Sequence, residues 1–232
     1  MANGQSDGLH ADYDMRILVT GASRGLGKVV AEAFSEHEVT AWGRKDADFL
    51  ESPTTWQPNP DVDVVIHCAG GGLGLRHPML NSYELYKLFM INLGGQAEIN
   101  RQVLPNMIER KSGYICHVCS IASGEAIGSV GYNTVKAALA AYVRSLGREM
   151  ATHGIVVSGI APGAFQCEGN AMERLQVNAP IVHRDFIENR LPRGRMGDAK
   201  ELIPLIKLLT SPAGSMMAGC VVPIDAGEGR YY

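Results

Sequence analysis

The sequence lacks the features that mark secreted, membrane-spanning and nucleic-acid-binding proteins. Five cysteines in 232 residues are an odd and small number, which argues against a disulfide framework. No apolar stretch is long enough to cross a bilayer, so we expect no membrane partner. Lysine and arginine number 21 against 24 acidic residues, and this balance provides no basic surface for nucleic acid. These absences favour a cytoplasmic protein that acts on a small molecule.

Residues 1–14 contain no apolar segment, so we predict a flexible N-terminal tail rather than a signal peptide. Residues 15–232 are predicted to form one domain, because 46% of the sequence is hydrophobic and can fill a full core. Cys116 and Cys119 have the C-x-x-C spacing of metal sites, but they fall in a predicted strand. Residues three apart on a strand point to opposite faces, so we predict no metal site and interpret both cysteines as small buried residues.

The segment Met15–Phe34 has the pattern of a buried strand, a glycine-rich turn and an amphipathic helix. Ile17–Val19 is a continuous apolar run, typical of a strand buried on both faces, and the apolar residues after the turn recur at helical spacing. Gly21, Gly25 and Gly27 would allow a tight turn, close approach of a pyrophosphate and close packing of the helix on the strand. The free amides at the helix N-terminus would face the anion. The pattern predicts the first half of a nucleotide-binding βαβ unit.

Strands and helices alternate along the rest of the chain, which predicts a doubly wound parallel α/β sheet of the Rossmann type. The further predicted strands are Glu38–Trp42, Val62–His67, Tyr114–Ser120, Ile155–Ile160 and Cys220–Ile224, and the further predicted helices are Tyr83–Arg110, Gly131–Met150 and Lys200–Thr210. We expect a bend at Gly94 and Gly95 and a break or kink at Pro105. The interval between the second and third strands is too short for another helix-and-strand repeat. Residues 164–196 have weak periodicity and are predicted to cover the substrate.

Three residues have the chemistry of a proton-transfer site. Tyr132 and Lys136 are four apart at the start of a predicted helix, so they share a face. A nearby ammonium favours phenolate over phenol, which suits general acid–base catalysis. Ser120 ends the preceding predicted strand and could hydrogen-bond the same substrate oxygen. Each residue alone has an ordinary interpretation as packing, a solvated charge or a turn, but their joint placement beside a glycine turn favours a catalytic set.

With these motifs the chain resembles the short-chain dehydrogenase/reductase family, and most of all its 3-oxoacyl-carrier-protein reductase branch, over residues 15–227. Residues 20–27, T-G-A-S-R-G-L-G, match the cofactor motif T-G-x-x-x-G-x-G. Residues 132–136, Y-N-T-V-K, match the catalytic motif Y-x-x-x-K. Ser120 and Asn92 lie where the family has its catalytic serine and its helix asparagine. Two later segments also match, the Pro-Gly loop beside the nicotinamide at 162–163 and the late V-D-G-G at 224–227, here I-D-A-G.

The chain departs from the family pattern at four places. His67–Gly70, H-C-A-G, stands where the family has N-N-A-G, so an asparagine is lost while the small residues near the adenosine remain. Ser120 lies twelve residues before Tyr132, one fewer than usual. The threonine commonly found after Pro-Gly is absent from Phe165–Cys167, and the region after the second strand is abbreviated. None of these departures removes the catalytic set.

The resemblance implies hydride transfer between nicotinamide C4 and the carbonyl or alcohol carbon of a small substrate. Tyr132 would give its proton to the carbonyl oxygen and Ser120 would hold that oxygen. Lys136 would bind the nicotinamide ribose, and Asn92 would hold a water that links Lys136 to solvent. The implied cofactor-binding residues are Gly21, Ser23, Arg24, Gly25, Leu26, Gly27, Arg44, Ala69, Gly70, Tyr132, Lys136, Pro162 and Gly163.

The end of the second strand predicts NADP rather than NAD. Enzymes that use NAD usually place a carboxylate there for the ribose 2′-hydroxyl, and Ala41–Lys45 contains none. A 2′-phosphate would instead meet Arg44, with Lys45 nearby and Arg24 reaching from the glycine turn. Asp46 and Asp48 follow closely and would weaken this preference if the loop folded back.

Two other functions are compatible with the pattern. A sugar-nucleotide epimerase or dehydratase uses a related scaffold, but such enzymes usually carry a larger carboxyl-terminal substrate domain than this chain can hold. A non-catalytic nucleotide-sensing protein is the second alternative, and the intact Ser120, Tyr132 and Lys136 argue against it. The long helices Tyr83–Arg110 and Gly131–Met150 carry apolar or small residues on more than one face, which predicts a homotetramer or homodimer.

Overall fold

Six parallel strands form the centre of the protein in a computed structural model that describes residues 14–230. The predicted tail, residues 1–14, lies outside the described residues except for Asp14. The strands are β1 Arg16–Thr20, β2 Glu38–Trp42, β3 Val64–His67, β4 Gly113–Val118, β5 Ile155–Pro162, β6 Phe165–Gln166, β7 Gly197–Asp198 and β8 Val221–Ile224. The main sheet has the order β2-β1-β3-β4-β5-β8, and β6 and β7 form a separate parallel pair.

Helices cover both faces of the main sheet. They are α1 Gly25–Ala33, α2 Ser82–Phe89, α3 Gly95–Arg110, α4 Val130–Ala151, α5 Ala171–Asn178, α6 Pro180–Arg190 and α7 Ile203–Leu209. The apolar run in β1 explains the layering, because Ile17 and Val19 pack with α1 and α7 while Leu18 packs with α3 on the opposite face. This architecture confirms the predicted doubly wound α/β fold. None of the helices in residues 14–230 has the length and apolar character needed to span a bilayer.

The predicted helix Tyr83–Arg110 is one helical segment with a change of pitch rather than a break. A π-helical turn, Met90–Gly94, joins α2 to α3, close to the predicted bend at Gly94 and Gly95. The predicted break at Pro105 is wrong, because α3 continues through this residue to Arg110. Pro105 and Arg101, whose carbonyl lies one turn earlier, are both on the exposed side of α3, where water can replace the missing hydrogen bond.

Aromatic side chains occupy the region of the abbreviated crossover between β2 and β3. As predicted, no helix-and-strand repeat lies there, only a single 3₁₀ turn, Pro53–Thr55. Phe49 and Trp56 are buried with their ring centroids 5.1 Å apart, on the α3 face of the sheet. Gly95 makes room for them, since a Cβ atom there would lie 2.1 Å from Phe49 Cγ. Two aromatic side chains and one glycine thus close the core where the chain is short, and β2 is left at the edge of the sheet.

The segment 164–196, for which no element was predicted, contains β6, α5 and α6, and the predicted elements themselves differ by shifts of one to three residues at their ends. The strand predicted to end at Ser120 ends at Val118, because Ser120 caps the 3₁₀ turn Ile121–Ser123. Cys116 and Cys119 lie in different core clusters, and all five cysteines are unpaired thiols. In residues 14–230 no group of three or more His, Cys, Asp or Glu side chains is arranged to hold a metal ion.

Candidate active site

The glycine turn after β1 is built so that the backbone of β3 approaches it closely. Gly21 has φ +69°, and a Cβ atom there would lie 2.6 Å from the Ala69 nitrogen in the loop after β3. Gly27 lies in α1, and its Cβ would be 2.3 Å from the Gly21 oxygen. Both positions therefore require glycine, one for the turn and the loop beside it and the other for the packing of the helix on the turn.

The N-terminus of α1 has the features of an anion site. The N-cap residue, Arg24, makes no side-chain cap, and the first turn contains no acidic residue that would compete with an anion for the positive end of the helix dipole. The Cys167 thiol lies against the Leu26 amide, and burial raises its pKa, so the sulfur remains protonated. A Cβ on Gly169 would lie 3.1 Å from Arg24 Cδ. Part of the predicted covering segment therefore crosses the glycine turn.

Lys136 is placed beside Tyr132 by one turn of α4. Its side chain is buried, and Nζ donates a hydrogen bond to the Val118 carbonyl oxygen at 2.8 Å. The same Nζ lies 5.7 Å from the centroid of the Tyr132 ring. α4 begins at this point because Ser129 caps it, with Oγ accepting a hydrogen bond from the Tyr132 amide at 3.4 Å. Lys136 thus joins the end of β4 to the start of α4.

Ser120 follows the end of β4 two residues after the carbonyl that binds Lys136. Its Oγ accepts a hydrogen bond from the Ala122 amide at 3.1 Å, so the hydroxyl keeps its own proton to donate to a substrate oxygen. The chain between Ser120 and Tyr132 consists of the 3₁₀ turn Ile121–Ser123, a loop and the first residues of α4.

Asn92 lies in the π-helical turn and holds the loop after β3. Its Nδ2 donates to the Leu88 and Gly71 carbonyl oxygens, both at 2.9 Å, and its Oδ1 accepts from the Gly71 amide at 3.0 Å. Oδ1 and Lys136 Nζ flank Gly70, because a Cβ atom there would lie 2.8 Å from the first and 3.6 Å from the second. The structure therefore brings together the predicted residues Asn92, Gly70, Lys136 and Tyr132.

The loop after β2 contacts the glycine turn and folds back on itself. A Cβ on Gly43 would lie 2.9 Å from Ser23 Cβ, so the two predicted cofactor segments touch. The Arg44 side chain is 77% exposed, with Nε 4.0 Å from Asp48 Oδ2. Asp46 Oδ2 accepts a hydrogen bond from the Gly43 amide at 2.7 Å. The fold-back that would weaken the NADP prediction is thus present.

A buried carboxylate that the sequence analysis missed supports the Pro162–Gly163 loop. Glu228 Oε2 accepts a hydrogen bond from the Ala164 amide at 2.6 Å, and Oε1 accepts one from Arg190 Nε in α6 at 2.9 Å. A Cβ on Gly163 would lie 2.7 Å from Glu228 Oε2, so this glycine allows the carboxylate to approach. A single glutamate after the last strand belongs to no motif, so the sequence carries no signal for it.

A glycine turn, a capless helix N-terminus and a Tyr-Lys pair at the carboxyl edge of one parallel sheet define a dinucleotide-dependent oxidoreductase. Comparison with known proteins agrees, since the family model for short chain dehydrogenase matches residues 54–178. The chain therefore belongs to the short-chain dehydrogenase family, which confirms the family and the enzyme class predicted from its motifs.

Relatives match over nearly the whole chain. Gluconate 5-dehydrogenase of Gluconobacter oxydans strain 621H is 28% identical, over 91% of this chain and 93% of its own. The 3-oxoacyl-(acyl-carrier-protein) reductase FabG of Vibrio cholerae is 25% identical, over 90% and 95%. A crystal structure of a 3-oxoacyl-(acyl-carrier-protein) reductase from Agrobacterium tumefaciens C58 with NADP bound has TM-score 0.76 and 22% identity, over 92% of this chain and 93% of that chain.

Proposed function

We propose that the protein is an NADP(H)-preferring reductase of a biosynthetic pathway, acting on the carbonyl or alcohol carbon of a small substrate. The observation that carries this proposal is the buried Lys136 ammonium beside the Tyr132 ring, at the edge where the glycine turn lies. Bound nicotinamide supplies the hydride chemistry, and the protein supplies orientation and proton transfer.

Each of the four side chains has one task in this reaction. Tyr132 donates its proton to the carbonyl oxygen during reduction, and Ser120 holds that oxygen with the hydroxyl proton it keeps. Lys136 stabilises the phenolate that remains and binds the nicotinamide ribose. Asn92 has one lone pair left on Oδ1, and a water between it and Lys136 would return a proton from solvent.

The glycine turn and the loops after β3 and β5 would hold the rest of the dinucleotide. Their geometry fits such a ligand, because the turn before α1 lies beside the loop after β3 and Gly21 and Gly70 have positive φ. We assign the pyrophosphate to the turn, the adenosine side to Ala69 and Gly70, and the nicotinamide side to Pro162 and Gly163. The NADP bound to the Agrobacterium tumefaciens reductase supports NADP as the dinucleotide.

The preference for NADP rests on Arg44, which is exposed and follows Gly43, the residue that touches Ser23 of the glycine turn. Its Nε lies 4.0 Å from Asp48 Oδ2, which is a long and exposed ion pair. The guanidinium can therefore turn to a 2′-phosphate and donate two parallel hydrogen bonds to it. NAD is the second candidate, and Asp46 favours it, because this carboxylate could accept a bond from a ribose hydroxyl. Asp46 is already bound by the Gly43 amide, so we place Arg44 first.

The proposal extends to surroundings and assembly. A cytoplasmic enzyme fits the unpaired thiols, and residues 164–196, which include α5 and α6, would cover the substrate. A homotetramer or homodimer would cover apolar side chains that α2 exposes.

Tyr132→Phe tests the proposed reaction. The variant should bind NADPH as the wild type does, but kcat should fall about a hundredfold or more because the proton donor is lost. The measurement is NADPH absorbance with a panel of carbonyl compounds, and Tyr114→Phe in β4 is the matched control. Turnover by Tyr132→Phe close to the wild-type rate would show that the proton donor is assigned wrongly.

A further inference from the structure

The backbone N–H and the backbone C=O of Ala69 are each hydrogen-bonded to a buried side chain from another element. Its N–H donates to Thr20 Oγ1 at 3.4 Å, and its carbonyl oxygen accepts from Gln96 Nε2 at 2.8 Å. Three more side chains, His67, Asn100 and His117, connect Thr20 to Gln96. We call this closed series the Ala69 circuit.

The carbonyl oxygen of Ala69 fixes the direction of the circuit, because it can only accept. Gln96 must turn its amide nitrogen toward it, so Gln96 Oε1 faces His117 Nδ1 at 2.7 Å. His117 therefore carries its proton on Nδ1 and accepts at Nε2. Asn100 Nδ2 is the donor to that nitrogen at 3.3 Å, and its second N–H binds the Tyr142 hydroxyl at 3.1 Å.

The other half of the circuit follows without a further choice. Asn100 Oδ1 faces His67 Nε2 at 2.9 Å, so His67 carries its proton on Nε2 and accepts at Nδ1. The Thr20 hydroxyl donates to that Nδ1 at 3.4 Å, and its oxygen receives the N–H of Ala69. That N–H can only donate, and the Thr20 oxygen can accept it while its own proton goes to His67, so this end is compatible with the direction that the Ala69 carbonyl fixes.

The side chains of the circuit are buried and come from packed neighbouring elements. Its side chains are at most 2% exposed, and the two imidazoles stack with centroids 4.7 Å apart. Thr20, His67 and His117 are register neighbours on β1, β3 and β4, while Gln96 and Asn100 come from one face of α3. Burial lowers the pKa of His67 to about 4 and that of His117 well below its usual value. Both rings are therefore neutral near pH 7.

We propose that Thr20, His67, Gln96, Asn100 and His117 are positioning residues that hold the Ala69 peptide in place for cofactor binding. The step from loop to cofactor rests on the proposed function, in which Ala69 and Gly70 contact the adenosine side. Gly21 in the glycine turn packs directly on the Ala69 nitrogen, so a displaced Ala69 would also disturb the pyrophosphate turn.

Asn92 holds Gly71 in the same two-sided way, one turn before Gln96. Asn92, Gln96 and Asn100 therefore follow one another at four-residue intervals on the helical segment that covers this loop. Asn92 and Gln96 thus fix Gly71 and Ala69 in the loop after β3. His67, which replaces the first asparagine of N-N-A-G, stacks on His117 and so connects the start of this loop to β4.

Imidazole ¹⁵N NMR on the histidine-labelled wild-type protein tests the circuit directly. We expect the His67 proton on Nε2 and the His117 proton on Nδ1, with neither ring charged from pH 8 to pH 6. The opposite tautomer on either ring, or a charged ring at pH 6, would overturn the circuit whether or not a cofactor binds.

Gln96→Met tests the consequence for the cofactor, because methionine has a similar length and no donor for Ala69. The NADPH Kd and KM should rise about tenfold, the scale of one lost hydrogen bond, with a smaller change in kcat at saturation. Asn100→Asp should act the same way, since its carboxylate cannot donate to His117. Thr210→Val removes a buried hydroxyl in another part of the protein and should leave the Kd unchanged.

Folded Gln96→Met and Asn100→Asp variants with a lower Tm but wild-type Kd and KM would reduce the circuit to a structural role and overturn the proposal. If Gln96→Met does not fold, Asn100→Asp and the NMR tautomers still decide. A wild-type protein that binds neither NADPH nor NADH would instead refute the proposed function, and the tautomers would decide the circuit separately.

Discussion

Arg44 and Asp46 bring opposite charges to the end of β2, and at the scale of single residues we propose that this pair decides the cofactor. Arg44→Ala should lower kcat/KM for NADPH about tenfold, because hydrogen bonds to a charged phosphate are lost, and should leave NADH almost unchanged. Asp46→Asn should keep or improve the NADPH value by removing a nearby negative charge. The measurement is kcat/KM with both cofactors.

Arg101→Ala on the exposed side of α3 is the matched control for the loss of a surface arginine. A wild-type preference for NADH would contradict the assignment. So would an Arg44→Ala variant with unchanged NADPH kinetics. A loss of NADH activity in Asp46→Asn would move the preference to NAD.

His67 and His117 give the fold a predictable sensitivity to acid. Unfolded histidine has a pKa near 6.5, whereas burial lowers the pKa of His67 to about 4, and His67 and Lys136 add to the effect of burial at His117. Between these values the unfolded chain binds more protons. The free energy of unfolding should therefore fall by about 1.4 kcal/mol per pH unit for each histidine as the pH drops below 6.5.

Urea unfolding at pH 7.5, 6.0 and 5.0 measures this slope, and His67→Asn should remove one histidine's share. Carboxylates with lowered pKa, such as Asp63, lose their contribution only at lower pH, so they do not disturb this window. A flat profile between pH 7.5 and pH 5.0 would show that the histidines are not held neutral.

At this scale the sequence predicted the residues that belong to motifs and missed those that act through distant contacts. Ser120, Tyr132 and Lys136 were predictable because spacing places them at one edge of the sheet. The partners of His67 were not, since Asn100 and His117 lie 33 and 50 positions away in the chain. The amide residues at four-residue intervals, which share one face of the predicted helix, were the one available signal.

At the scale of elements, the contact between Gly95 and Phe49 determines how α3 packs on the short crossover between β2 and β3. Gly95→Ala should lower the free energy of unfolding by about 1–3 kcal/mol, since its Cβ would fall inside the space of the Phe49 ring and overpack the core. Alanine is the better helix former by about 1 kcal/mol, so a loss of stability is diagnostic of the clash.

Phe49→Ala provides the double-mutant control, measured by urea unfolding. In the Phe49→Ala background, Gly95→Ala should cost nothing or stabilise the protein, because the clash is gone. An equal cost in both backgrounds would show that the aromatic ring does not determine the need for glycine.

Element types and order were predictable from periodicity, but local changes of pitch were not. The π-helical turn Met90–Gly94 sits where the sequence indicated only a bend, and α3 continues through Pro105. In both cases tertiary packing and exposure decide how the backbone groups are satisfied, and a single-chain hydrophobic pattern does not record them.

For the whole molecule, the exposed apolar side chains of α2 are the main feature the single chain leaves uncovered. Tyr83 and Tyr86 are 65% and 54% exposed, and α4 exposes the small residues Ala137 and Ala141. We expect light scattering to give two or four times the 25.0 kDa of one chain, because these helices pair with their copies. Tyr86→Glu should shift the mass downward, and Val177→Glu on α5 is the control.

A single species of 25.0 kDa at micromolar concentration would refute the predicted oligomer. The overall fold was the most predictable level, since alternation of strands and helices, the glycine turn and the short crossover all follow from the printed chain. The assembly was less so, because apolar residues on a surface are common in monomers as well.

The short crossover also has a consequence for how this scaffold can change over time. Residues 43–48 touch the domain near their two ends, through Gly43 on Ser23 and through Ala47, which packs against the core cluster of Phe49. Between these anchors the loop shares no strand or helix with the rest of the protein. In the proposed function, these six residues carry the cofactor preference, and substitution or grafting can exchange them while the sheet and the catalytic edge keep their architecture.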